Sequence, residues 1–147
     1  MRADGKPIVA TVCHCDGCRR AGAILQALPD APEILDDECG TRFVLYRKDR
    51  VDLVRGGELL AEHRLDASTP TRRVVATCCN SFLFLDFTKG HWITLFEDRL
   101  VLEGEAKDVP RNGRTRPMFF LRLMATWVRM GFDTPTIDYV KEEIDDD

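Results

Sequence analysis

Cys13-His14-Cys15-Asp16-Gly17-Cys18 puts three thiols into six residues. Zinc accepts thiolate ligands in tetrahedral geometry at about 2.3 Å, and three cysteines so close in sequence need little loop closure to meet one ion. Reading Val9 to Cys15 as a strand places Cys13 and Cys15 on one face, because side chains alternate. Asp16-Gly17 is then expected to turn the backbone and return Cys18 to the same point. Three thiolates leave the site with a single negative charge and one open position, whereas a fourth closes it. The number of sulfurs therefore separates a catalytic site from a structural one.

Two further thiols compete for that fourth place. Cys78 and Cys79 follow the β-branched stretch of Arg72 to Thr77 and are expected at the end of a strand. Adjacent strand residues face opposite ways, so only one of the pair can reach a common metal. Cys39 stands alone in a loop-like stretch and is expected to be inert packing. His14 alternates with the cysteines and faces away from their metal, and no motif surrounds His63 or His91. Arg19 and Arg20 follow Cys18 directly, where cationic charge favours thiolate and can receive a substrate carboxylate.

These residues need a scaffold, and 147 residues with 44% hydrophobic and 31% charged content suit one compact soluble domain over residues 1–135. A net charge of −4 and a pI near 5.4 argue against a nucleic-acid partner. No run of eighteen apolar residues and no apolar leader is visible, so neither a membrane nor secretion is indicated, and a cytoplasmic setting is expected. In a reducing compartment the six cysteines point to metal or redox chemistry rather than disulfides. Residues 136–147 end in Lys-Glu-Glu-Ile-Asp-Asp-Asp and read as a flexible acidic tail.

Between these ends the hydrophobic period changes twice. Arg19 to Leu28 is helix-compatible and stops at Pro29, with a loop from Pro29 to Gly40. Thr41 to Tyr46, Leu59 to Leu65, Arg72 to Cys79, Ser81 to Phe87 and His91 to Phe96 are short runs rich in β-branched and aromatic residues, and Arg99 to Leu102 extends the series. Turn chemistry separates them, so residues of about 8–103 read as mainly β with antiparallel neighbours. Arg116 to Met130 has Pro117 near its start and Gly131 at its end, the signature of a helix. Its broad apolar surface calls for cover, by the sheet or by a second copy in a homodimer.

At Cys13 to Gly22 and again at Arg73 to Phe84 (RVVATCCNSFLF), the chain resembles the family of glutathione-dependent formaldehyde-activating enzymes and centromere protein V. The resemblance spans most of residues 8–100. It implies a folded antiparallel sheet, the β-tent, and a catalytic zinc held at the positions of Cys13, Cys15 and Cys18. The family's second, structural zinc uses an earlier C-x-C pair and a later C-x-x-C-G motif. Here Ala76 replaces the first cysteine of the later motif, Cys79 matches the second, and Asn80 replaces the glycine. The earlier pair has no counterpart, so the resemblance implies one zinc ion only and a divergent member.

Two functions follow as expectations. The first is a zinc-dependent carbon–sulfur lyase acting on glutathione–formaldehyde or another small thiol adduct, with Arg19 or Arg20 binding its carboxylate. The alternative is a non-catalytic, zinc-stabilised domain in which Cys78 or Cys79 closes a four-cysteine site and the surface binds a partner.

Overall fold

The computed structural model describes residues 1–101, 111–112 and 116–144. It is mainly β. One sheet has eight strands: β2 (Val9–Cys13), β3 (Thr41–Arg47), β5 (Leu60–His63), β6 (Thr71–Ala76), β7 (Ser81–Phe87), β8 (Trp92–Phe96), β9 (Arg111–Asn112) and β10 (Glu142–Glu143). Their spatial order is β10-β5-β6-β7-β8-β3-β2-β9. The six inner strands are antiparallel, while the edge strands β9 and β10 run parallel to β2 and β5. A separate pair joins β1 (Arg2–Ala3) to β4 (Val51–Asp52).

Alternation along the strands gives each face its own core. Ala10, Val44, Val74, Phe84, Ile93 and Leu95 fill one side together with Ile137 and Val140 from the C-terminal segment. Val9, Phe43, Leu45, Val75, Phe82 and Phe96 fill the other, where they meet Leu25 of α1 (Asp16–Gln26) and Leu123 of α2 (Arg116–Arg129). Val74 and Val75 can serve different cores because they are neighbours in β6; a register shift there against β7 bends the strand at the same point.

Several boundaries differ from expectation, each for a local reason. β2 stops at Cys13 instead of reaching Cys15, and Asp16-Gly17 opens α1 rather than forming a turn. Cys15 is the residue before the helix, its carbonyl accepting the amides of Cys18 and Arg19, both at 3.0 Å. Asp16 suits the first turn, where negative charge complements the helix dipole. β6 ends at Ala76, so Cys78 and Cys79 lie in the turn to β7, with Asn80 at φ 48° completing the reversal. The strand expected from Arg99 begins instead as the end of a 3-10 turn over Glu97–Arg99, and Leu102 lies outside the described residues.

The segment expected to be a flexible tail from residue 136 is anchored. Ile137 and Val140 are buried, Arg72 donates to the Ile137 carbonyl, and Glu142–Glu143 pair with Ala61 and Glu62. Tyr139 packs against the same core; residues 145–147 lie outside the described residues. α2 buries Leu123 and Thr126 and stacks Trp127 on His91, with ring centroids 5.7 Å apart. It leaves Met118, Phe120, Leu121, Met124 and Val128 exposed. Among the described residues, no helix is long and apolar enough to cross a membrane.

Candidate metal centre

The end of β2 and the start of α1 bring the three sulfurs together. Cys13 closes the strand opposite Thr41 of β3, Cys15 precedes the helix, and Cys18 lies in its first turn. All three Sγ atoms lie within 4.8 Å of one another, with Cys13 and Cys15 at 3.4 Å. Tetrahedral zinc with sulfurs at about 2.3 Å requires sulfur–sulfur separations of about 3.8 Å, so these residues fit such an ion with small side-chain adjustments. Among the described residues this is the one set of three or more Cys, His, Asp or Glu ligand atoms close enough to hold a metal.

Burial is graded across the cluster: Cys18 is buried, Cys13 half-buried and Cys15 exposed. Behind Cys18 lies a cavity of about 10 Å³, walled by Leu25, Ile34, Phe43, Arg73 and Phe82 among others. It has room for no more than a water molecule, so a ligand must approach from the Cys15 side. Cys18 donates its thiol proton to Cys13 when no metal replaces it. That hydrogen bond, the largest influence on both, lowers the Cys13 pKa to about 5 and raises that of Cys18, which burial raises further. A metal displaces this proton.

The loop before β3 braces the outer side. Gly40 is required there, since a Cβ would fall 2.6 Å from both His14 Cε1 and Val12 Cγ1. Asp36 holds that loop by accepting the amides of Glu38 at 3.0 Å and Gly40 at 2.7 Å. His14 thus packs against the loop and is exposed, outside the sulfur cluster.

Other expected residues are placed differently. Cys78 and Cys79 do not join the three sulfurs; both are exposed, 3.7 Å from each other, and Cys79 contacts Ser81 Oγ at 3.2 Å. Cys39 is exposed with φ 57°. Arg19 and Arg20 are exposed on α1 immediately after Cys18. His91 is buried, and burial lowers its pKa despite a hydrogen bond with the Leu123 backbone. His63 is buried opposite Arg73 on the adjacent strand.

Sequence reasoning did not single out Arg73. It is 6% exposed, reaches from β6 to donate to the Gly17 carbonyl at 3.1 Å, and shares the small cavity with Cys18. Burial lowers its pKa, while negative charge on Cys18, Cys15 and Cys13 acts in the opposite direction; an arginine remains charged throughout. The signal was the doublet Arg72-Arg73 opening an apolar strand, which assigns one cation to each face.

No family model matches the chain, and neither a curated protein nor a solved structure is found similar to it. The fold and the cysteine cluster therefore carry the functional argument.

Proposed function

We propose that Cys13, Cys15 and Cys18 hold one zinc ion with its fourth position open, and that the protein is a carbon–sulfur lyase acting on a small thiol adduct of the glutathione–formaldehyde type. The observation that carries this reading is the sulfur count: three Sγ atoms within 4.8 Å, with Cys78 and Cys79 outside the group. Resemblance to the formaldehyde-activating family at Cys13 to Gly22 supplies the substrate class, and the folded sheet with α1 against it is compatible with the β-tent. Zinc in such a site provides Lewis acidity, which lowers the pKa of a bound thiol or polarises a carbonyl.

The chain's own groups divide the remaining work. Cys18 is fixed by the buried side of α1 and Cys13 by the β2–β3 ladder, so both enter the site from rigid elements. Exposed Cys15 leaves the approach side wet and accessible. Arg19 and Arg20, exposed on α1 directly after Cys18, would receive the carboxylate of a peptide-like thiol.

Metal analysis of purified protein with X-ray absorption at the zinc edge tests the reading. One zinc per chain, with three sulfurs and one light atom exchangeable by added thiol, is expected. Four sulfurs indifferent to thiol would sink the lyase and establish instead a closed, stabilising site; Cys78→Ser and Cys79→Ser would then show which thiol closes it.

A further inference from the structure

Arg73 supports an inference that rests on the zinc reading and goes beyond it. Its guanidinium is buried, and its direct protein acceptor, the Gly17 carbonyl, belongs to the backbone between Cys15 and Cys18. The acidic groups that compensate its neighbour Arg72, Glu62 and Asp86, lie on the other side of β6. Beside Arg73 lies Cys18, which lines the same small cavity, and the Sγ atoms of Cys13 and Cys15 lie within 4.8 Å of that of Cys18. A buried guanidinium is costly without a nearby anion, and these thiolates are the anions the fold supplies.

We propose that Arg73 is the counter-charge of the three-thiolate centre and makes its open position select an anionic ligand, a thiolate, over a neutral one. Zinc with three thiolates carries one negative charge, and the guanidinium cancels it before any ligand arrives. An incoming thiolate then meets a neutral assembly instead of an anionic one. Arg73 does this from the buried side, where it lines a small cavity with Cys18, while a ligand enters at the exposed Cys15. It is a positioning residue acting through charge. The exposed Arg19 and Arg20 are screened by solvent and cannot replace it.

The test uses the full chain loaded with cobalt(II), whose sulfur-to-metal absorption reports the fourth ligand, titrated separately with 2-mercaptoethanol and with neutral imidazole. In Arg73→Gln, metal uptake should stay at one ion per chain while affinity for the thiolate falls about 10- to 100-fold. That is the size expected of a unit charge several ångströms away at an effective dielectric constant of about 20. Imidazole affinity should change less than about twofold, and Arg73→Lys should recover most of the thiolate affinity. Arg73→Met, which suits the apolar wall, serves as a second neutral variant. Equal losses for both ligands would mean that Arg73 only ties β6 to α1, and unchanged thiolate affinity would remove the charge role; either overturns the proposal. A wild-type chain that takes up no metal would overturn the zinc reading and this inference together. Wild-type uptake with thiolate affinity preserved in the neutral variants overturns this one alone.

Discussion

Arg72 and Arg73 are adjacent, both buried, and sit in opposite electrostatic worlds. Arg72 donates to Asp86 and Glu62, each at 2.9 Å, and to the Ile137 carbonyl. Asp86 also holds Lys48 at 2.8 Å, and Glu62 holds Arg64 at 2.7 Å. Burial opposes the Arg72 charge, but the two carboxylates outweigh it and its pKa rises. Arg73 has one backbone carbonyl and three ionisable sulfurs, and burial prevails. One face thus supplies its buried arginine with carboxylate partners directly. The other reaches balance only when its sulfurs are ionised, the form in which they hold a metal.

The strongest way to break this comparison is Asp86→Asn, which leaves Lys48 and Arg72 buried beside a neutral group. A loss of about 3–5 kcal/mol is expected in denaturant unfolding; a loss below about 1 kcal/mol would show that the network is not electrostatically closed. Next, Arg72→Met should cost about 3 kcal/mol because Asp86 and Glu62, both buried, each lose one of two cationic partners. Arg73→Met in metal-free protein should cost about 1 kcal/mol, the value of one hydrogen bond. Equal costs would erase the distinction between the faces. Zinc at a hundredfold excess over its dissociation constant should stabilise wild-type protein by about 2.7 kcal/mol, removable by chelator, with Cys18→Ser abolishing the effect.

Acid should act on the carboxylate face. Burial raises the Glu62 pKa, but hydrogen bonds from Arg72 and Arg64 outweigh it and hold the folded value below the ordinary range. Its stabilisation is therefore complete above the unfolded value of about 4.3 and is lost as pH falls through the lower folded value. Midpoint temperatures measured between about pH 6 and about pH 3 should decline more steeply for wild type than for Glu62→Gln; parallel curves would exclude Glu62. The smallest effect is expected from Cys78→Ser and Cys79→Ser, both exposed in a turn. Each should shift stability by less than about 0.5 kcal/mol and leave metal retention unchanged, and loss of zinc in either variant would restore the four-sulfur alternative.

The contrast also explains what the sequence could reveal. Cys13, Cys15 and Cys18 are legible because local spacing alone brings them together, although the device is a helix start and not the expected Asp16-Gly17 turn. Ser81 to Phe87 and Thr41 to Tyr46 are legible because period-two patterns and turn residues are local signals. Arg73 is not, since its burial depends on β6 being central in the sheet and on α1 lying across it. Ile137 and Val140 are hidden for a similar reason: two apolar residues in a short mixed segment carry no periodicity, and their pocket is made by strands more than forty residues earlier. Long-range assembly, rather than composition, decides these cases.

The strand order also has a consequence for how the chain folds. Both outermost strands, β9 and β10, come from the last third of the sequence and pair with β2 and β5. A nascent chain emerging only as far as Val101 therefore presents two bare strand edges, each offering unpaired amides and carbonyls to other chains. The contacts that cover them link Ala10 to Arg111 and Glu62 to Glu143, separations for which loop closure is slow. Until synthesis is nearly finished, the cysteine cluster can be complete while the sheet that carries it is still open to aggregation at both sides.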